Sequence, residues 1–346
     1  MKVQLIRNKL EDDNSKTGVG NYADILEDLL KDEGIEAETI PFELTFEKGI
    51  RNAIKEGMTV PLRKILLGRK GTDIVHVTFE YCSILLPFAR AKKVVTVHHI
   101  VGRDEKNSRK WFLMWRLAAW ISIVSADRII AISTQTKEEI LRKYRIDPNR
   151  IETLGFFTKD FGPLGGVEKE RLIGCMGTLN ERKNFTAAIN VFGSILEDGR
   201  YEDHRMIICG KGPLRDRLRE HAESLGIGDR VEFIQEISKE ELVRFYNRCS
   251  LILNTSSHEG LGLATVEAQM CGTPVLYFRD ANIPREITKA AVQCSDERDM
   301  SEKAKEILGD DALMKRLIDD GLEHTSYLRR DFKERILGVY ASLCEK

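Results

Sequence analysis

Two glutamates and a group of glycines lie together in residues 250–278. Glu259, Gly260 and Gly262 follow an apolar run that has the pattern of a buried strand, and Glu267 lies in a helix predicted to begin near Gly262. A helix N-terminus with glycines beside it suits an anion such as a diphosphate. Carboxylates accept hydrogen bonds from vicinal diols, so the two glutamates would suit the ribose and the sugar at either end of that diphosphate. The alternative is that both glutamates are solvated and that the glycines only form a tight turn.

A basic pair, Arg182 and Lys183, follows another apolar segment, Leu172–Met176, at a predicted junction of strand and helix. Adjacent cations at such a junction can neutralise a diphosphate and stabilise it as a leaving group. Taken alone, a basic dipeptide is more often a solvated surface pair. The position of the pair, at the start of the second half and ahead of the glutamate segment, favours the diphosphate-binding interpretation.

Apolar strand-like segments and amphipathic helical segments alternate along the whole chain. The predicted strands are residues 3–6, 37–40, 73–77, 93–97 and 128–131 in the first half, and 172–176, 205–209, 231–233, 250–254 and 274–278 in the second. Short β-branched runs separated by helices are typical of parallel sheets covered on both faces. The pattern predicts an α/β protein of two doubly wound domains, divided within the glycine-rich residues 155–166.

Residues 250–278 closely resemble the Glu-Gly-x-Gly-Leu-x-x-x-Glu-Ala-x-x-x-Gly-x-Pro-Val signature of family 4 glycosyltransferases. The residues in register are Glu259, Gly260, Gly262, Leu263, Glu267, Ala268, Gly272, Pro274 and Val275. The resemblance implies that Glu267 binds the ribose of a UDP- or GDP-sugar and that Glu259 binds the donor sugar near the reacting carbon. Arg182 and Lys183 match the basic pair of the same family.

The family resemblance also implies a fold and a separate function for each domain. The implied fold is GT-B, in which two Rossmann-like doubly wound domains face a central cleft. Residues 1–160 would form the acceptor-side domain, residues 161–325 the nucleotide-sugar domain, and residues 326–346 a helix that crosses back to the first domain.

Weaker matches lie in both halves. Gly210 and Gly212 resemble a Gly-x-Gly-Pro turn beside the nucleotide, although a plain turn is equally compatible with them. Phe233 belongs to a segment whose backbone would meet the base, but Gln235 replaces the glycine that the family usually has there. Other departures from the family pattern are the linker sequence at residues 155–160 and Arg285, which splits a Pro-Glu pair.

The N-terminal half contributes Gly18, Gly20 and His98 to the predicted site. The amides around Gly18 and Gly20 precede the first predicted helix and could approach the donor. They do not form a dinucleotide fingerprint, which needs its glycines immediately after the strand, so a nicotinamide-dependent oxidoreductase is excluded. His98 matches the family's histidine and would contact donor or acceptor, or serve as a structural hydrogen-bonding residue. His99 replaces the usual aspartate.

The predicted site therefore has two sets of members. The catalytic residues are Glu259, His98, Arg182 and Lys183, and the donor-binding residues are Gly18, Gly20, Arg182, Lys183, Gly210, Gly212, Phe233, Glu259, Gly260, Leu261, Gly262, Leu263 and Glu267. The resemblance implies retention of anomeric configuration by front-side transfer. The sequence has no Asp-x-Asp motif for a metal-bound diphosphate, so we expect no metal and no cofactor, and Arg182, Lys183 and the helix N-terminus would take the metal's place.

Charge and composition bear on partners. The formal net charge of -1 argues against a general nucleic-acid binder. Residues 51–116, however, hold 14 Lys and Arg against 5 Asp and Glu, mixed with apolar residues and with tryptophans at 111 and 115. Basic amphipathic segments suit an anionic membrane surface, which predicts a lipid-linked acceptor and a peripheral position on the membrane. The alternative is that Trp111, Trp115 and Trp120 pack in the core.

Seven scattered cysteines without a Cys-x-x-Cys pair, together with an N-terminus that lacks a signal-peptide pattern, predict a cytoplasmic protein. Three other functions remain open at this point. Two are other enzymes of GT-B fold, an epimerase and a phosphorylase. The third is a catalytically idle partner that binds a nucleotide-sugar.

Overall fold

A computed structural model describes residues 1–8, 18–42, 71–80, 86–98, 109–155 and 158–345. The predictions for His99, for the Trp111 and Trp115 side chains and for most of the basic stretch at residues 51–116 lie outside what it describes. The chain forms two compact units. The first comprises Met1–Phe156 and Arg330–Lys346, and the second comprises Phe157–Arg329.

The first unit contains a sheet of six parallel strands. Its strands are β1 (Lys2–Asn8), β2 (Glu36–Phe42), β3 (Ile74–Val77), β4 (Lys92–Val97), β5 (Arg128–Ala131) and β6 (Ile151–Thr153), in the order β2-β1-β3-β4-β5-β6. The described helices are α1 (Gly18–Asp32), α2 (Arg109–Ser125) and α3 (Thr134–Lys143). All four residues of β3 are buried, as expected for a parallel strand covered on both faces.

The second unit has the same architecture. Its strands are β7 (Leu172–Met176), β8 (Arg205–Cys209), β9 (Val231–Ile234), β10 (Leu251–Asn254), β11 (Val275–Phe278) and β12 (Val292–Cys294), all parallel. Between and after them lie α4 (Phe185–Leu196), α5 (Arg215–Ser224), α6 (Lys239–Arg248), α7 (Leu263–Met270), α8 (Arg285–Thr288), α9 (Glu297–Gly309) and α10 (Asp311–Cys344). The core contains the apolar side of α4, including Phe185, Ile189 and Phe192.

The strand order of the second sheet, β12-β11-β10-β7-β8-β9, brings two distant loops together. The chain builds outward from β7 in one direction through β8 and β9, and then returns to add β10 on the other side of β7. Loops that follow β7 and β10 therefore leave adjacent strands at the same edge of the sheet, at the switch point where the strand order reverses. In doubly wound sheets this switch point is where ligands bind.

The last helix, α10, begins in the second unit and ends in the first. Within the first unit its Tyr340 is fully buried, and the Tyr340 hydroxyl lies 2.5 Å from Nδ1 of His76. Nε2 of His76 lies 2.8 Å from the hydroxyl of Thr96, which in turn lies 2.8 Å from the hydroxyl of Tyr22. Burial lowers the pKa of His76 to about 3, with a further contribution from His98, so the network is neutral. These hydrogen bonds hold the end of α10 on the first sheet.

The structure bears on three predictions made from the sequence, which concern the start of the first helix, the cysteines and membrane-spanning segments. Helix α1 begins at Gly18, not after Gly20 as predicted, so Gly18–Gly20 form the first turn of the helix. The six described cysteines are free, and all of them except Cys344 are buried. Among the described residues no helix is long and apolar enough to cross a membrane.

Candidate functional site

Arg182 and Lys183 lie in a single 3-10 turn, Glu181–Lys183, on the loop that follows β7. The Asn180 side chain caps this turn by accepting a hydrogen bond from the amide of Lys183 at 3.2 Å. Asn184 then adopts a left-handed conformation, with φ of 47°, and begins α4. Asparagine tolerates this conformation better than most residues, so the local sequence favours the sharp entry into the helix.

Glu259 lies on the loop that follows β10, and this loop is hydrogen-bonded to the basic turn. The amide of Ser257 donates to the carbonyl of Arg182 at 2.9 Å, and the Thr255 hydroxyl donates to the carbonyl of Lys183 at 3.0 Å. Arg182 also donates to the carbonyl of His258. Hydrogen bonds thus join the two loops to each other at the switch point.

The carboxylate of Glu259 is the centre of a charged cluster. Nζ of Lys183 lies 2.5 Å from Oε1, Nη1 of Arg182 lies 3.0 Å from Oε2, and the Ser256 hydroxyl donates to Oε1 at 2.6 Å. The side chains of Lys183 and Glu259 are 10% and 8% exposed, whereas that of Arg182 is 40% exposed. The structure therefore brings together three residues that the sequence analysis selected from two separate segments.

The charge state of Glu259 follows from these contacts. Burial by itself raises the pKa of the carboxyl group. The charge of Lys183, hydrogen bonds from Lys183 and Ser256, and the charge of Arg182 act in the opposite direction and prevail, so the pKa lies below its ordinary value. Glu259 is consequently ionised at neutral pH.

Glu267, on α7, has a different environment. Its side chain is buried, and the Tyr246 hydroxyl donates to Oε2 at 3.0 Å. Burial raises the pKa of Glu267 to about 7, although the hydrogen bond from Tyr246 and the charges of Lys239 and Lys183 oppose the rise. Since Lys183 acts on both Glu259 and Glu267, the two predicted carboxylates share one cation.

The glycines before α7 have separate roles. Gly262 is the N-cap, and its φ of 62° favours glycine; a Cβ there would also lie 2.2 Å from Cδ1 of Ile287, which would have to move. A Cβ on Gly260 would meet nothing within 4 Å, and the residue is exposed. Leu261 and Leu263 are half-buried. The structure thus leaves open space beside Gly260, at the start of the helix.

Gly210 and Gly212 pack against the loop that carries the basic pair. A Cβ on Gly210 would lie 1.9 Å from the carbonyl oxygen of Gly177, and one on Gly212 would lie 2.3 Å from that of Leu179. A Cβ on Gly177 would in turn lie 2.4 Å from Cε of Lys183. These glycines permit the loops after β7 and β8 to approach closely, and they leave room for the Lys183 side chain. That packing accounts for both residues of the Gly-x-Gly turn; donor contact remains a prediction.

Phe233 lies in β9 opposite Ile208, and its ring packs against the core of the second unit. It also lines a cavity of about 820 Å³ at the amino ends of β7, β8 and β9. Arg182, Lys183, Glu259 and Glu267 lie at the other edge and do not line this cavity. The predicted contact between the Phe233 backbone and a base is not tested by this arrangement and stays a prediction.

The predicted site residues of the first unit lie at the start of helix α1 and directly after strand β4. Gly18 and Gly20 are in the first turn of α1, where amides have no acceptor within the helix. His98 follows β4 and is buried; its Nε2 donates to the carbonyl of Thr78 at 2.9 Å, and its amide donates to Oε2 of Glu80 at 3.1 Å. These bonds agree with the structural role that the sequence left open for His98. A role toward the donor or acceptor stays a prediction.

Ser256 and Tyr246, which donate to Glu259 and Glu267 respectively, were not predicted from the sequence. Ser256 lies three residues before Glu259, so its position in the same loop was a usable signal. Tyr246 lies in α6 beside Phe245 and reads as an ordinary core residue. Its contact with Glu267 depends on the packing of α6 against α7, which no local pattern reveals.

Comparison with known families identifies the chain. Residues 156–324 match the model described as Glycosyl transferases group 1, and residues 32–155 match that of Glycosyltransferase Family 4. The chain belongs to the family 4 glycosyltransferases. The match confirms the family predicted from residues 250–278. The two matched regions of this family 4 protein adjoin near the division between its two units.

Individual relatives of this family 4 protein are distant. A D-inositol 3-phosphate glycosyltransferase of Rhodococcus jostii (strain RHA1) is 29% identical over 170 residues, 44% of this chain and 38% of that protein. One from Corynebacterium glutamicum (strain R) is 26% identical over 219 residues, 57% of this chain and 52% of that protein. The matches thus span about half or less of these relatives' length.

Solved structures with the same fold extend over nearly the whole chain. Anabaena Alr3699/HepE in complex with UDP superposes with a TM-score of 0.70 at 15% identity, covering 99% of this chain and 100% of that one. Sucrose-phosphate synthase from Thermosynechococcus elongatus gives a TM-score of 0.73 at 18% identity, covering 99% of each chain. These likenesses confirm the predicted GT-B fold for this family 4 protein.

Proposed function

We propose that this protein is a retaining glycosyltransferase that moves a hexosyl group from a UDP- or GDP-sugar to an acceptor hydroxyl without a metal ion. The observation that carries the proposal is the cluster of Arg182, Lys183 and Glu259 at the switch point of the second sheet. It combines two cations suited to a diphosphate with a carboxylate suited to sugar hydroxyls, beside the uncapped first turn of α7.

Each residue has a physical role in the proposed reaction. Arg182 and Lys183 would take up negative charge as the bond between the sugar and the diphosphate breaks. Their side chains are held in advance by Glu259, so little reorganisation is needed when charge develops. Glu259 would orient the sugar, and the leaving diphosphate would help to remove the proton from the attacking hydroxyl. Retention of configuration follows if attack and departure occur on one face.

The donor class is supported by relatives and by the charge of the cluster. Alr3699/HepE has been crystallised with UDP and with UDP-glucose. In the present protein Glu267 lies on α7, about one and a half turns beyond Gly262. This separation suits a carboxylate that contacts the ribose while the helix N-terminus contacts phosphate.

Transfer is expected to persist when divalent cations are removed, because the two cations stand where a metal would otherwise neutralise the diphosphate. The measurement uses a panel of UDP- and GDP-hexoses, first screened by thermal stabilisation and then assayed for nucleoside diphosphate release. Sugar acceptors and inositol 3-phosphate, the substrate named for the bacterial relatives, are supplied with and without EDTA. NMR of the product reports its anomeric configuration.

The outcomes separate the rival functions. Loss of transfer in EDTA that Mg²⁺ or Mn²⁺ restores would contradict the metal-free mechanism. Conversion of the donor sugar without acceptor would indicate an epimerase, and sugar cleavage that depends on inorganic phosphate would indicate a phosphorylase. Nucleotide binding without turnover across the acceptor panel would favour an idle binding partner.

A lipid-linked acceptor is the second part of the proposal. The basic stretch lies largely outside the described residues, but α2 adds an observation from its described part. Leu117, Trp120 and Val124 are 53%, 50% and 42% exposed, and their spacing puts them on one face of the helix. Trp120 is therefore not a core residue. An exposed apolar face next to a basic segment suits an anionic membrane surface.

Co-flotation with anionic liposomes is expected at low salt and is expected to weaken as salt is added, because both cations and apolar side chains contribute. Replacing Trp120→Ser should reduce the bound fraction by several-fold, on the order of the loss of one buried aromatic anchor. The matched control is Tyr327→Ser, since Tyr327 is also an exposed aromatic residue but lies in the second unit. No flotation at low salt would overturn the membrane part of the proposal and leave the transferase part standing.

A further inference from the structure

We infer that Tyr246 is a positioning residue for the nucleotide, which orients the Glu267 carboxylate for the ribose through a hydrogen bond from its hydroxyl. The inference rests on the proposed function, since it concerns how the same donor site recognises ribose. Tyr246 itself would not touch the donor. It would act through the carboxylate of Glu267.

The geometry supports this role. The Tyr246 hydroxyl donates to Oε2 of Glu267 at 3.0 Å, and both side chains are buried. Within the described part of the chain no other side chain donates to Glu267. The hydrogen bond restrains Oε2 and leaves the other acceptor positions of the carboxylate for the vicinal hydroxyls of a ribose.

Tyr246 is itself firmly held. Its ring packs against Phe161 and Phe245, with centroids 6.0 Å and 5.5 Å away. Its backbone carbonyl accepts hydrogen bonds from the Thr273 hydroxyl at 2.5 Å and from Nζ of Lys169 at 3.4 Å. A donor with so little freedom can transmit a fixed orientation to its acceptor.

The charge environment gives the hydrogen bond a second effect. Burial raises the pKa of Glu267 to about 7, and the Tyr246 hydrogen bond is the first of the influences that oppose this rise, ahead of the charges of Lys239 and Lys183. Among the described residues, Cys271, which follows the last residue of α7, also senses the charge of Glu267; burial raises the pKa of its thiol to about 11, so it stays neutral. Removing the Tyr246 hydroxyl would therefore shift Glu267 further toward its protonated form near neutral pH.

The test is Tyr246→Phe, which retains the ring and its packing. We expect the Kd for UDP or GDP, whichever the wild type binds, to rise about tenfold at pH 7. The donor KM should rise in parallel, while kcat stays near the wild-type value. In the wild type, binding should weaken as pH falls through about 7, and in the variant this weakening should begin at higher pH. The preference for the nucleoside diphosphate over its 2′-deoxy analogue should also shrink.

The matched control is Tyr201→Phe. Tyr201 is a buried tyrosine of the same unit, and its hydroxyl donates to the carbonyl of Lys305 at 2.7 Å. This variant should lose stability without any change in pH profile or 2′-hydroxyl preference. A Tyr246→Phe variant with wild-type pH profile and preference would overturn the inference alone. Glu267→Gln provides a second check, because retention of the wild-type 2′-hydroxyl preference there would also overturn it. A wild type that binds neither nucleotide would overturn the proposed function itself.

Discussion

The Lys183→Met substitution is expected to lower kcat/KM for the nucleotide-sugar by about 10²–10³-fold, which is the effect of removing one preorganised charge-stabilising group. Lys183 is the buried cation of the cluster, and it is bonded to Glu259 at 2.5 Å. The loss should fall mainly on kcat, because negative charge on the diphosphate increases as the sugar departs. Steady-state kinetics with saturating acceptor measures it.

The same replacement leaves the buried carboxylate of Glu259 with fewer partners, which is expected to cost about 3 kcal/mol in the free energy of unfolding. Arg182 and Ser256 still bond to Glu259, so the cost lies at the low end for a broken buried pair. Adding Glu259→Gln to Lys183→Met should recover stability but not activity. Denaturant unfolding of both variants provides the measurement.

The control for Lys183→Met is Lys303→Met. Lys303 also pairs with a carboxylate, that of Asp299 at 2.9 Å, but on the surface of α9. Its loss should change stability by less than about 1 kcal/mol and leave transfer unchanged. Near wild-type kcat/KM in Lys183→Met would contradict the assignment of the basic pair to the diphosphate.

Glu259→Gln is expected to reduce transfer by about 10²-fold while leaving the Kd for the free nucleoside diphosphate within a few-fold of wild type. The amide retains the size of the side chain and an acceptor for the Ser256 hydroxyl. It removes the negative charge that, in the proposed reaction, would orient the donor sugar. Calorimetry with UDP or GDP and transfer assays on the same preparation separate binding from chemistry.

The pH dependence of stability gives an independent reading of Glu259. Since its pKa in the folded protein lies below the ordinary value, it contributes stability above the unfolded pKa, and this is lost as pH falls through the folded one. The free energy of unfolding should therefore fall less steeply with decreasing pH in Glu259→Gln.

The control for the loss of transfer in Glu259→Gln is Glu170→Gln, because Glu170 pairs with Arg248 at the opposite edge of the sheet. Glu170→Gln should retain transfer; equal loss in both variants would contradict a specific role for Glu259.

Much of the fold could be predicted from local pattern. Strands such as β7 and β8 are short apolar runs with both faces buried, and their predicted bounds coincide with the observed ones. The first helix was predicted to begin after Gly20, yet Gly18–Gly20 form the first turn of α1, although glycine has low helix propensity. The sequence did not decide whether the Trp120 side chain is buried or exposed, because α2 is apolar around much of its circumference.

The structure also changes the interpretation of several residues that a motif had grouped together. Gly210 and Gly212 lie where the motif predicted, but their immediate contacts are Gly177 and Leu179 of the neighbouring loop. His98 lies at the end of β4 as predicted, and its ring and amide are bonded to Thr78 and Glu80. A motif identifies residues that recur together, whereas only coordinates separate those that face a ligand from those that hold the loops in place.

The sequence by itself determined the types of element, the two α/β halves and the family motif in residues 250–278, because periodicity, glycine placement and motif spacing are local properties. Only the tertiary structure decided that Lys183 and Glu259, 76 residues apart, form a buried ion pair, and that Tyr246 reaches Glu267. Those contacts depend on the order in which strands assemble and on the packing of α6 against α7. Strand order is set by the burial of whole faces across the sheet, so no short segment encodes it.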